Sequence, residues 1–308
     1  MKRLPVLLAT VSLFAASLAI PTAVTASATS SSSTMCIVSL SPTATETLFA
    51  IGAGKQVEAV DKDADYPTTG LPKKRFDAFN PSAEAIAGAC TKTKAHPSTK
   101  PDLVVVAYDA NNVVEQLTTL GINVITQDAP SNLTGAFEQI TQLGSDTGHA
   151  TTAAAIVKGL QSDFAKDLKM IPAYKGRSVP MYYELDPTLY SLTSATFVGQ
   201  ILKAYGVTNI ADAVDEPSDD GYPQLTSEYV VASSPKVVFL ADTVCCHASA
   251  TSFGKRPGFS TLSAVKYGHV YGLNDDVASR WGPRLSLLMS QMASGIAATL
   301  NDAKVWKK

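Results

Sequence analysis

The stretch Cys36-Ile37-Val38-Ser39-Leu40-Ser41-Pro42-Thr43-Ala44-Thr45-Glu46-Thr47-Leu48-Phe49-Ala50 decides the fold. Its first five residues are a short apolar run of the kind that fills a buried strand. Pro42 follows, and a helical pattern runs from Thr43 towards Ala50. The same alternation continues outward. Val57 to Val60 reads as a strand, and Pro81 to Ala89 as a helix with proline in its first turn. Leu103 to Ala107 is a strand, Val113 to Leu120 a helix, and Asn123 to Thr126 a strand. Such a rhythm argues for parallel strands with helices packed on the sheet faces.

From about Asn132 the rhythm changes. Leu133 to Gly144 reads as one helix and Ala150 to Met170 as a longer one, its apolar positions Ala154, Val157, Leu160, Phe164 and Leu168 three to four residues apart. The alternation then resumes, with strands at Val179 to Tyr182, Val237 to Ala241 and Val270 to Leu273. Helices fall at Phe197 to Tyr205, Ser227 to Val231 and about Pro283 to Leu300. Pro81-Ser82-Ala83-Glu84 before Pro101-Asp102-Leu103-Val104 resembles Leu225-Thr226-Ser227-Glu228 before Pro235-Lys236-Val237-Val238, a weak internal repeat. The expected fold is α/β: two Rossmann-like lobes with parallel sheets, residues 35–148 and 173–308, joined by a single long backbone helix within 149–172.

The start of the chain sets the compartment. Lys2 and Arg3 precede an apolar run from Leu4 to Ile20 and the small-residue pattern Ala26-Ser27-Ala28. This is the layout of a secretory signal peptide over residues 1–28, with an uncleaved anchor as the alternative. The protein is expected to be exported, periplasmic or associated with the outer cell surface. Without Lys2 and Arg3, 23 basic residues face 27 acidic ones, and no basic patch with interleaved aromatics points to nucleic acid. The four cysteines, Cys36, Cys90, Cys245 and Cys246, suit two disulfides in an oxidising compartment. Of three connectivities, Cys36–Cys90 with Cys245–Cys246 keeps each pair within one lobe. Adjacent Cα atoms sit about 3.8 Å apart, below the usual disulfide span of roughly 4.4–6.8 Å, so the second pairing is a strained one.

Catalytic signatures are absent: there is no Gly-x-Ser-x-Gly, no His-Glu-x-x-His and no phosphate loop. None of His96, His149, His247 and His269 has a histidine partner one helical turn away. The sequence names no catalytic residue, no metal set and no cofactor.

The run Ile37 to Gly54 resembles the opening of the cobalamin- and ferric-siderophore-binding proteins of ABC importers. The resemblance continues through Asp65-Tyr66-Pro67, Asn80-Pro81-Ser82-Ala83-Glu84, Phe197-Val198-Gly199, Pro223-Gln224-Leu225-Thr226-Ser227-Glu228 and Arg280-Trp281-Gly282-Pro283-Arg284. The segment Cys90 to Lys100 departs from the family pattern as an extra polar insert. The resemblance implies a helical-backbone solute-binding protein, expected to be a monomer, that delivers a small-molecule metal chelate to a permease and ATPase. It assigns permease docking to Glu84 and Glu228, one on each lobe, where each carboxylate would meet an arginine. A plainer reading is that both suit helix N-termini.

The ligand is expected at the carboxyl ends of the strands, between the lobes. The candidates there are Ser41, Thr43, Tyr66, Tyr108, Tyr183, Glu184, Tyr222, Arg280 and Trp281. Aromatic rings offer flat apolar area to a large chelate. Cobalamin is favoured over an anionic siderophore because Arg280 is the only clear cleft cation, and haem is a third candidate with tyrosine as axial ligand. The Cys245-Cys246-His247 segment is open to three readings: a structural loop or bridge, a ligand contact, or a soft-metal site. The competing classes are a secreted metal-ion binder or hydrolase built on that segment.

Overall fold

In the computed structural model, which describes residues 35–174 and 178–307, the first half builds one sheet and the second half another. The expected signal peptide, residues 1–28, lies outside the described residues. The first half runs β1 (Ile37–Leu40), α1 (Pro42–Ala50), β2 (Val57–Asp61), β3 (Lys74–Phe76), α2 (Ala83–Ala87), β4 (Leu103–Val106), α3 (Val113–Thr119), β5 (Val124–Thr126) and α4 (Leu133–Asp146). Helix α5 (Ala150–Met170) follows. The second half runs β6 (Pro180–Glu184), α6 (Phe197–Ala204), β7 (Thr208–Asn209), α7 (Ser227–Ser233), β8 (Val237–Leu240), α8 (Ala250–Gly254), α9 (Ser263–Tyr267), β9 (Val270–Gly272), α10 (Asp275–Ala278) and α11 (Leu285–Asn301).

The sheets are ordered β3-β2-β1-β4-β5 and β7-β6-β8-β9, and every strand pair is parallel. Central strands β1, β4 and β8 are buried at every residue, as their unbroken apolar runs require when helices cover both faces. Helix starts follow side-chain chemistry. Ser41, Ser82, Asn132, Thr196 and Thr226 each accept a hydrogen bond from a backbone N–H of the first turn.

One apolar core extends from Leu48 and Val105 in the first half to Phe239, Met289 and Ile296 in the second, with Leu160 of α5 between them. Helix α5 packs against α4 on one side and α11 on the other. Its stripe differs from the expected one. Ala153, Leu160 and Asp167 are buried, while Ala154 is exposed and Leu168 is 41% exposed. Asp167 takes the inward place because the Tyr205 hydroxyl donates to it at 3.2 Å.

Strands β3 and β7, three and two residues long, carry too little pattern to be read from sequence. The expected helix over Pro81 to Ala89 contracts to Ala83–Ala87 behind the Ser82 cap. Both expected cysteine pairs are joined: Cys36–Cys90 across a sequence separation of 54, and Cys245–Cys246.

Candidate ligand cleft

Each sheet reverses its strand order at one place, between β1 and β4 in the first and between β6 and β8 in the second. Open α/β sheets hold ligands outside the strand ends at such points. Leu185, directly after β6, and Ala241, directly after β8, both line a cavity of about 430 Å³. Phe197 and Val198 from the start of α6, Tyr222, and the Ser279-Arg280-Trp281 segment complete its second-lobe wall, and Ala129 faces them from the first lobe. The cavity adjoins a hollow of about 430 Å³ that shares Ala129, Thr196, Phe197 and Tyr222 with it. A further hollow of about 880 Å³ runs along Asp128 to Gln142. Together they form a cleft on the scale of a large ligand.

Gly199 lets α6 take its position. A Cβ at Gly199 would stand 1.9 Å from the Thr193 carbonyl oxygen. The Ser279 to Trp281 wall is set by the short helix before it, whose Asn274 side chain accepts from the Val277 N–H at 3.1 Å.

Arg280 is 9% exposed and fully engaged. Its guanidinium donates to Glu46 at 2.7 Å, Asp65 at 2.5 Å, Asp276 at 2.9 Å and the Asp63 carbonyl at 3.4 Å. Glu46, 2% exposed on α1, also accepts from Arg284 at 2.9 and 2.6 Å, and the Arg284 guanidinium lies 4.3 Å from the centre of the Tyr66 ring. Trp281 donates its indole N–H to Gln139 of the first lobe at 2.6 Å. A buried ion-pair network and an aromatic hydrogen bond therefore join the lobes at the cavity wall. Burial works to raise the Asp65 pKa, but bonding to Arg280 holds it below the usual carboxylate range. Burial raises that of Asp276, with Asp65 beside it.

The charge left over is negative. Among the described residues lining the three hollows, the carboxylates are Asp128, Glu138, Asp215, Glu216, Asp220 and Asp275, and Arg280 is the one cation. That cation is already matched by Glu46, Asp65 and Asp276.

Of the residues expected from sequence, Tyr222, Arg280 and Trp281 meet at the cavity, with Cys245 beside them. Tyr66 and Tyr108 are exposed at the carboxyl ends of β2 and β4, outside the three hollows. Ser41 is buried as the α1 cap, and Thr43 is buried behind it. The expectation that Tyr183 and Glu184 contact ligand is corrected. Strand β6 runs on through both of them, leaving Tyr183 1% and Glu184 0% exposed, and Glu184 is held by Arg256 at 2.6 and 2.7 Å. Glu84 and Glu228 are exposed in the first turns of α2 and α7, and neither meets a cation among the described residues.

Sequence reasoning missed Glu46, Gln139 and Phe79. Phe79 is 67% exposed after β3 and packs on Tyr108 with ring centres 5.7 Å apart. It also missed α10, although Asn274-Asp275-Asp276 carries the capping and acidic first-turn signals of a helix start. Among the described residues, no group of three or more His, Cys, Asp or Glu side chains is placed to hold a metal ion, and no helix is long and apolar enough to cross a membrane.

A family profile described as periplasmic binding protein matches residues 37–277. An uncharacterized ABC transporter substrate-binding lipoprotein of Bacillus subtilis is 29% identical over 269 residues, covering 84% of this chain and 79% of that protein. The cobalamin-binding protein of Halobacterium salinarum is 28% identical over 267 residues, covering 85% and 69%. Among solved structures, the periplasmic vitamin B12 binding protein of Vibrio cholerae superposes with a TM-score of 0.69 at 23% identity, covering 86% of this chain and 98% of that one. The periplasmic heme-binding protein from Roseiflexus superposes at 0.70 with 19% identity, covering 87% and 100%.

Proposed function

The chain belongs to the periplasmic binding protein family, and from that premise we propose that it is the exported substrate-binding protein of an ABC importer for a cobalt corrinoid. The observation that carries the ligand class is the charge of the cleft. Six carboxylates line it, and its one cation is already paired with three more. An anionic ferric siderophore, or the two propionates of haem, would enter a negative field in which the described lining residues offer no guanidinium or ammonium beyond the paired Arg280. A neutral or cationic corrinoid meets no such penalty and can lie against Phe197, Tyr222 and Trp281.

The mechanism is binding without turnover. The ligand enters a cleft already shaped by the ion-pair network between the lobes. Closure is small, because α5 packs on both lobes and Glu46 holds Arg280 and Arg284. Glu84 and Glu228 then dock the loaded protein on the permease through charge-assisted hydrogen bonds. The test is tryptophan fluorescence of the mature protein titrated with cyanocobalamin, haem and ferric siderophores, corrected for ligand absorbance. Saturable quenching by cyanocobalamin, lost in a folded Trp281→Ala variant, is expected. Saturation by haem or a ferric siderophore in its place would refute the ligand assignment.

A further inference from the structure

Cys245 lines the cavity, and both members of the Cys245–Cys246 pair are exposed on the loop after β8. The other disulfide is buried at both ends, Cys36 being 3% and Cys90 4% exposed. A crosslink stabilises a fold chiefly by closing loops of the unfolded chain, and a bridge between neighbours closes almost none. The effect of the Cys245–Cys246 bridge is therefore local.

The loop it belongs to is gripped on both sides. Asp275, itself part of the cavity wall, accepts from the N–H groups of Val244 at 2.9 Å and Cys245 at 2.7 Å. On the other side the Asp242 carbonyl accepts from the N–H groups of Cys246 at 3.3 Å and Ala248 at 3.2 Å. Between these anchors His247 holds φ at +55°, a conformation that a non-glycine residue keeps only where its surroundings impose it. The ring closed by the two sulfurs restrains the peptide between the anchors. Opening it frees the Cys245 side chain to rotate at the cavity surface.

We propose that the Cys245–Cys246 disulfide is a redox-controlled wall of the ligand cavity, binding-competent when oxidised and weakened when an external dithiol reduces it. A thiolate of the dithiol attacks one sulfur, the S–S bond breaks and a mixed disulfide forms. The second thiol then displaces the protein sulfur, leaving two protein thiols and an oxidised, cyclic reductant. Exposure directs this exchange to residues 245 and 246 and spares the buried Cys36–Cys90 bridge. The inference rests on the cavity being the chelate site proposed above.

The test is calorimetric titration of the mature protein with cyanocobalamin in three states. They are the air-oxidised protein, the dithiol-treated and desalted protein with two thiols mapped to 245 and 246, and the Cys245→Ser/Cys246→Ser variant. Affinity is expected to fall tenfold or more in the second and third states, with unchanged circular dichroism, and to return on reoxidation of the second only. Affinities equal within twofold across the three states overturn the inference. So does finding both cysteines as free thiols in the air-oxidised protein. If the oxidised protein binds neither cyanocobalamin, haem nor a ferric siderophore, the chelate reading itself falls and takes this inference with it, a result distinct from three equal affinities.

Discussion

Replacing Glu46 by glutamine keeps the side chain's size and removes the charge that holds two arginines across the lobes. Glu46 is 2% exposed and accepts three hydrogen bonds, from Arg280 at 2.7 Å and from Arg284 at 2.9 and 2.6 Å. In the variant an amide NH₂ is set against guanidinium donors, and Arg284 loses its one carboxylate partner among the described residues. Breaking a buried ion pair from one side costs about 3–5 kcal/mol. Arg280 keeps Asp65 and Asp276, which places the expected loss near the lower end, about 3 kcal/mol. For a chain of this size that corresponds to a fall in Tm of roughly 6 °C, readable by differential scanning calorimetry. Because the pair is buried, 1 M salt should change the difference between wild type and variant little, unlike a surface bridge. Arg280 and Trp281 share the cavity wall, so cyanocobalamin affinity should fall with stability. A Tm shift below about 2 °C with unchanged affinity would refute the claim that this network sets the cleft.

Gly199→Ala should destabilise by about 3 kcal/mol in urea denaturation, since the new methyl would stand 1.9 Å from the Thr193 carbonyl; a change under 0.5 kcal/mol would contradict that packing. Removing the Cys36–Cys90 bridge with Cys36→Ala/Cys90→Ala should cost about 4 kcal/mol by the loop it closes, measured the same way. Asp242 is fully buried, and burial, together with the Glu184 carboxylate nearby, pushes its pKa up to about 7. The folded state therefore binds the Asp242 proton more tightly than the unfolded chain. That group's contribution is present below about pH 4 and is lost as pH rises towards 7, at up to about 1.4 kcal/mol per pH unit. Asp242→Asn should flatten that slope in melts from pH 4 to 8, and an unchanged slope would locate the titration elsewhere. Glu84→Ala with Glu228→Ala should leave cyanocobalamin affinity within twofold of wild type and abolish stimulation of the reconstituted permease–ATPase; full stimulation would remove both from the docking role.

The strands that carry the fold were legible because burial on both faces demands unbroken apolar runs, as in Leu103 to Val106 and Val237 to Leu240. The two- and three-residue edge strands impose no such demand and left no pattern. The site was only partly legible. Trp281 and Arg280 stood out by motif and Tyr222 by residue type, and all three line the cavity. Glu46 did not stand out, since a glutamate in a short helix reads as a solvated face, and its partners lie 234 and 238 residues away. Glu184 was misplaced for a related reason. A strand end was set two residues early, and a carboxylate that Arg256 neutralises inside the second lobe was placed in the cleft.

The most direct measurement is a competition. The mature protein is incubated with equimolar cyanocobalamin, haem and a ferric siderophore, desalted by gel filtration, and the absorbance of the retained ligand is recorded. A corrinoid spectrum at close to one equivalent is the predicted result. Retention of haem or the ferric chelate in preference would contradict the claim that a cleft lined by an excess of carboxylates selects against anionic ligands.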